Sequence, residues 1–167
     1  MNKNYLLVYL IIISFFFTKK SLFSAEKEAN HCKITAPSKI SIKPGKTVNV
    51  PIKFKLDKSW HIYGFISAIN KEGIGPQQTD IYYNDTTGTI TPGKPSYPKP
   101  KTKYDEAFEM DVDSYSGSFT CILPLTAKND AAKSCITIPL EITYQLCDGN
   151  MCLAPTTVPI PFNIIIQ

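Results

Sequence analysis

Between Thr47 and Leu56 every second residue is apolar: Val48, Val50, Ile52, Phe54 and Leu56, separated by polar or turn-tolerant residues that include Lys53 and Lys55. A period of two places the five apolar side chains on one face of a strand and the lysines on the other. The same period returns from Cys135 to Tyr144, where Ile136, Ile138, Leu140, Ile142 and Tyr144 share a face. No segment offers a convincing amphipathic helix, so the chain has to bury its apolar residues between sheets.

The rest of the chain fits that constraint. Cys32–Lys43 reads as one strand broken at Pro37, and Trp60–Phe65, Thr79–Tyr83, Gly117–Leu125 and Thr156–Ile166 read as further strands. Pro44-Gly45, Asp57-Lys58-Ser59, Asn84-Asp85 and Lys128-Asn129-Asp130 supply turns between them. Lys71–Gln78, with Gly73, Gly75 and Pro76, reads as loop, and the proline-rich stretch Pro92–Pro100 is extended and unsuited to a central strand. Lys101–Ser114 fits neither period and is expected to be a long loop. Seven or more short strands with turn signals between them predict an all-β fold, an immunoglobulin-like β-sandwich. The cysteine–tryptophan–cysteine hallmark of antibody domains is not clear, so the expectation is that architecture rather than an antibody relative.

Residues 1–25 read as a signal peptide: Lys3, then an apolar run from Tyr5 to Phe17, then the small residues Ser24 and Ala25. That run is too short to span a bilayer comfortably and suits the apolar region of a secretory signal. The expected mature domain is 26–167, exported to an oxidising compartment, with no membrane span after cleavage; retention as an anchor is the alternative. Removing the signal's three lysines lowers the net charge from +4 to about +1. All 18 basic residues are lysine, so the bidentate fork of arginine is absent and charge gives no argument for a nucleic-acid partner.

Exported chains keep disulfides, which draws attention to Cys147-Asp148-Gly149-Asn150-Met151-Cys152. With Gly149 and Asn150 as a two-residue loop, Asp148 and Met151 form the first hydrogen-bonded pair of a hairpin. Cys147 and Cys152 then oppose each other as a non-hydrogen-bonded pair, with Cα atoms roughly 4.5 Å apart, within reach of a disulfide. A bond closing so small a loop adds only about 2 kcal/mol and is a poor staple. The spacing alone fits a redox role and a structural role alike. Five cysteines is an odd number, so at least one thiol is left over or pairs elsewhere. Cys121 shares a face with Phe119, Leu123 and Leu125 and should be buried, and Cys135 should face outward; Cys32 could reach Cys135.

Ser59-Trp60-His61-Ile62-Tyr63, the Gly73–Pro76 loop, Tyr97-Pro98-Lys99-Pro100, Tyr104-Asp105-Glu106-Ala107-Phe108 and Tyr144-Gln145-Leu146-Cys147…Cys152-Leu153-Ala154-Pro155 follow one another in this order. In this the chain resembles the N-terminal periplasmic domain of the thiol:disulfide interchange protein DsbD, over nearly all of the mature region. The resemblance implies an immunoglobulin-like fold in the periplasm and thiol–disulfide exchange through Cys147 and Cys152. It implies electrons arriving from a membrane-embedded thiol reductant and leaving to thioredoxin-fold periplasmic proteins, with no cofactor. It places His61 and Tyr63 on the strand beneath the cysteines, and Asp105, Glu106 and Phe108 in a cap loop that shields them. Ala107 separates the acidic pair from Phe108, so the shielding aromatic is either Phe108 or Tyr104. Full-length transporters of this kind continue into a membrane domain and a thioredoxin-like domain; this chain is expected to borrow both from other polypeptides or to do something narrower.

Two other classes fit parts of the sequence. Cys147, Met151 and Cys152 are soft ligands suited to copper(I), to which His31, His61 and Met110 could add. A non-catalytic interaction sandwich with a structural disulfide is the third reading. For the redox reading, His61 would favour a thiolate only when protonated; Asp148 next to the pair would not.

Overall fold

The computed structural model describes residues 31–83 and 85–167. The expected signal peptide and the residues up to Asn30 lie outside them. The described chain is all-β, in twelve strands: β1 (Cys32–Thr35), β2 (Lys39–Ile42), β3 (Thr47–Leu56), β4 (His61–Tyr63), β5 (Asp80–Tyr83), β6 (Ile90–Pro92), β7 (Lys101–Asp105), β8 (Met110–Ser116), β9 (Ser118–Ala127), β10 (Ser134–Tyr144), β11 (Leu146–Cys147) and β12 (Thr156–Ile166). They form three four-stranded sheets, ordered β1-β3-β9-β6, β2-β12-β10-β5 and β11-β4-β8-β7.

The first two sheets share one core. Val50, Ile52, Phe54 and Leu56 of β3 and Cys121, Leu123 and Leu125 of β9 pack with Leu140, Ile142 and Tyr144 of β10 and Phe162, Ile164 and Ile166 of β12. These are the alternating positions of each strand, so the period of two in the sequence is the sandwich itself. The strand prolines sit where pairing permits them. β1 meets β3 only from Lys53 to Leu56, and β2 meets β12 only from Asn163 to Ile166. Pro51, Pro159 and Pro161 therefore have a paired neighbour on one side only, where a missing N–H breaks no second ladder.

Two expectations are corrected. Cys32–Lys43 is not one interrupted strand: beyond Pro37 the chain changes sheets, β1 pairing antiparallel with β3 and β2 parallel with β12. Lys101–Ser114 is not a loop but the hairpin β7–β8, paired from Lys101↔Ser114 to Asp105↔Met110. Lys101, Thr102, Lys103 and Tyr104 are all exposed. An edge strand with no buried face leaves no alternation for the sequence to display.

The third sheet decides where a site can form. In the β11–β4–β8 register Leu146, Ile62 and Tyr115 are aligned, and all three join the main core. Their neighbours Cys147, His61 and Ser116 are aligned on the opposite face. That outer face carries its own small apolar cluster of Tyr63, Val112 and Cys147, against which Phe108 and Met110 pack.

Candidate functional site: a capped disulfide hairpin

Cys147 and Cys152 are joined by a disulfide, with Cα atoms 4.1 Å apart. They are antiparallel partners, flanked by the hydrogen bonds Asp148 N–H to Met151 O (3.1 Å) and Leu153 N–H to Leu146 O (2.8 Å). This is the hairpin register that the sequence implies. Gly149 takes φ 96°, a left-handed value that glycine adopts without steric cost. The Asp148 carboxylate accepts from the backbone N–H of Asn150 (2.9 Å) and of Met151 (3.0 Å). Those bonds hold its pKa below the ordinary carboxylate value. Gln145 donates its side-chain amide to the Leu153 carbonyl (3.0 Å), tying the return limb to the outgoing one.

The two cysteines differ in exposure. Cys147 is 2% exposed, whereas Cys152 is exposed. Beneath them lies β4. His61 is directly opposite Cys147 in the ladder, and the Tyr63 hydroxyl is 3.7 Å from Cys152 Sγ. The same hydroxyl donates to Asp105 Oδ2 at 3.1 Å. Burial first, then the Asp105 charge, pushes the Tyr63 pKa up to about 12, so it stays a protonated donor across the physiological range. Buried Thr79 fixes the backbone here, its hydroxyl donating to the Tyr63 carbonyl at 2.7 Å.

Burial lowers the His61 pKa below 6.5; Asp105 and Asp148 oppose this and Lys103 reinforces it. The imidazole therefore faces Cys147 uncharged at neutral pH, and the thiolate stabilisation that a protonated His61 would give is not available there. Beside it a cleft of about 1150 Å³ opens, lined by Trp60, His61, Lys103, Asp105, Val112 and Asp148 among others. Trp60 is held in its wall by stacking on His31 (ring centroids 4.3 Å apart), which in turn is 3.1 Å from Asp57 Oδ2.

The turn between β7 and β8 covers this face. Asp105 closes the turn by accepting from the Ala107 N–H (2.9 Å) while its other oxygen takes the Tyr63 hydroxyl. Phe108 meets Tyr63 edge-on, centroids 5.9 Å apart. Of the two aromatics considered for the shield, Phe108 packs on the cluster that contains Cys147, and Tyr104 is 57% exposed. Glu106 is exposed on the turn. Val112 and Met110 complete the cluster; Met110, considered above only as a copper(I) ligand, packs here instead, and Val112 was not singled out, although Met110, Val112, Ser114 and Ser116 alternate onto one face. Asn70, whose side chain reaches the Phe108 carbonyl, could not be singled out from the sequence, because nothing near it hints at a contact with the turn.

The remaining cysteines are free: Cys32 and Cys121 are buried and Cys135 is exposed. Cys32 does not pair with Cys135; they belong to different sheets, on β1 and β10. Burial raises both buried thiols to about 12, which makes them inert. Among the described residues no three His, Cys, Asp or Glu side chains converge as a metal site, and Met151 is 55% exposed.

The sequence model described as "Thiol:disulfide interchange protein DsbD, N-terminal" matches residues 33–163. Among solved structures, the reduced N-terminal domain of DsbD from Neisseria meningitidis is similar over 71% of this chain and 82% of that one, with 17% identity and a TM-score of 0.42. The complex between the DsbD N-terminal and PilB N-terminal domains from the same organism is similar over 68% and 73%, with 18% identity and a TM-score of 0.45. No curated protein matches the chain.

Proposed function

Since this chain belongs to the family of the DsbD N-terminal domain, whose chemistry is thiol–disulfide exchange in the periplasm, we propose that Cys147 and Cys152 relay electrons from a membrane-embedded thiol reductant to thioredoxin-fold periplasmic proteins. The expected mature domain 26–167 would be exported by the segment 1–25 and act without a cofactor. Among the described residues no helix is long and apolar enough to cross a membrane.

The observation that carries this reading is the asymmetry of the two cysteines beside the turn that bears Phe108. Cys152 is exposed and Cys147 is buried. A partner thiolate attacks Cys152 Sγ, the Cys147–Cys152 bond breaks, and Cys147 leaves as a thiolate that takes up a proton. The partner's second thiol, deprotonated, then attacks its own sulfur in the mixed disulfide and releases Cys152. Two electrons and two protons pass to the pair, and the partner dithiol becomes a disulfide. Handing them on runs the same steps in reverse, with Cys152 attacking the acceptor's disulfide. His61 is uncharged and Asp148 is ionised, so neither activates the pair strongly; the incoming partner supplies the activated thiolate on loading. Phe108, with Asp105 and Tyr63, keeps the sulfurs from unselected thiols until a partner displaces the turn.

The test is trapping in cells. Cys147→Ala should capture thioredoxin-fold partners as mixed disulfides through Cys152, while Cys152→Ala should capture few or none. If neither variant holds a partner of a reducing pathway, the relay reading is wrong.

A further inference from the structure

The turn that packs Phe108 on the cluster around Cys147 is pinned at both ends. One pin is Asp105 on the Tyr63 hydroxyl. The other comes from a separate loop between β4 and β5, where the Asn70 side-chain amide donates to the Phe108 carbonyl at 3.1 Å. We propose that Asn70 is the latch that holds Phe108 over the Cys147–Cys152 pair, a positioning residue for the exchange rather than a participant in it. The inference rests on the proposed shielding role of Phe108.

Three features support it. First, the orientation of the Asn70 amide is determined by its surroundings. Its Oδ1 accepts from the backbone N–H of Glu72 (2.9 Å) and of Ile74 (3.0 Å), which leaves Nδ2 to donate: to Phe108 O at 3.1 Å and, more distantly at 3.4 Å, to the Glu72 carboxylate. Second, the loop that carries it is tied to itself. Asn70 N–H donates to Ile74 O at 2.8 Å, Gly73 N–H donates to Asn70 O at 3.0 Å, and a Cβ at Gly75 would strike the Ala68 carbonyl. Third, the bonded carbonyl belongs to the peptide that leads into Glu109, and Glu109 is held at φ 52°, a left-handed conformation that non-glycine residues rarely adopt. When the Asn70 bond is lost, Glu109 can relax towards the right-handed region. That relaxation rotates the Phe108–Glu109 peptide and moves the Phe108 ring off Tyr63. The latch is also open to address from outside: Ile69 and Ile74, on either side of Asn70, are 67% and 56% exposed.

Asn70→Asp is the discriminating substitution. Made in a Glu72→Gln background, so that no second carboxylate faces the new one, it keeps an oxygen to accept from the N–H groups of residues 72 and 74 but removes the donor to Phe108 O. The measurement is the rate at which dithiothreitol reduces the disulfide of the oxidised domain, with thermal unfolding of the same samples recorded alongside. Each reduction turns one dithiothreitol into its cyclic disulfide and the pair into two thiols, counted by alkylation and mass in a Cys135→Ser background. Asn70→Asp should speed reduction on the order of three- to tenfold, the population shift expected from losing one hydrogen bond, with little change in the unfolding midpoint. Asn70→Ala should speed it at least as much. Phe108→Ala marks the unshielded limit. If Phe108→Ala is fast and both Asn70 variants match the domains they were made from, the latch is refuted and the shield stands. If Phe108→Ala also matches the wild type, the shielding role and the latch fall together.

Discussion

The Tyr63 hydroxyl, 89 residues from Cys152 in sequence, lies 3.7 Å from its sulfur and 3.1 Å from Asp105 Oδ2. One phenol therefore touches the exposed half of the disulfide and anchors the turn that carries Phe108. The ring is part of the site's apolar floor, and the hydroxyl is the polar handle that fixes the cover. Removing only the oxygen separates these roles.

Tyr63→Phe keeps the ring against Cys147 and Phe108 and deletes the bond to a carboxylate. The oxidised domain should lose about 1.5 kcal/mol in urea unfolding, the low end for a hydrogen bond to a charged group, since Asp105 is part-exposed. Reduction by small thiols should also quicken. An unchanged urea midpoint would show that the Asp105 contact contributes nothing in solution.

Phe108 and Tyr104 flank the turn four residues apart but differ in burial. Phe108→Ala should raise the rate of disulfide reduction by dithiothreitol. Tyr104→Ala should leave it unchanged and alter stability by no more than about 0.5 kcal/mol, as is usual for an exposed side chain. Equal effects of the two substitutions would contradict the packing of Phe108 on Tyr63.

His61 predicts a pH dependence with a definite sign. Burial lowers its folded pKa below 6.5, so the folded state binds fewer protons than the unfolded state. The contribution of the neutral ring is complete above pH 6.5 and is lost as pH falls from there through the lower folded value. Stability measured by denaturant should therefore decline on acidification below pH 6.5, and His61→Gln should flatten that part of the profile. Asp148, also held below its ordinary value, acts at lower pH, where its bonds to Asn150 and Met151 are lost as it protonates. A His61→Gln profile that superimposes on the wild type on acidification below pH 6.5 would overturn the assignment.

Tyr83 tests the other end of the second sheet. Its hydroxyl is buried and has no hydrogen-bond partner among the described residues, and burial followed by the Asp85 charge raises its pKa. Tyr83→Phe removes an unsatisfied polar group and should be neutral or stabilising by up to about 1 kcal/mol, read from thermal unfolding. A clear loss would mean that the hydroxyl finds a partner in solution.

Much of this protein is legible in its sequence, for a local reason. The strands that face the main core on one side only, β3, β9 and β10, announce themselves by alternation. The cysteine hairpin is equally local: Asp148, Gly149 and Asn150 specify the turn, and the turn sets the register that brings Cys147 opposite Cys152. The edge strand β7 stayed hidden because Lys101–Tyr104 bury nothing. The one-strand reading of Cys32–Lys43 failed because the change of sheet at Pro37 depends on partners far along the chain.

The face on which the site is built belongs to the tertiary structure. Ile62-Tyr63 and Leu146-Cys147 are pairs of adjacent buried residues, and no period in segments so short says which member turns inward. Packing decides it: Ile62 and Leu146 close the core with Tyr115, which sends Tyr63 and Cys147 to the outer face beneath Phe108. Burial there leaves His61 neutral, and the loop between β4 and β5 brings Asn70 to the Phe108 carbonyl. The sequence by itself determined the strands and the cysteine pair because both are written in neighbouring residues. The cover, the floor and the charge state around the pair were decided by the fold, because each depends on residues that only the packed sheets bring together.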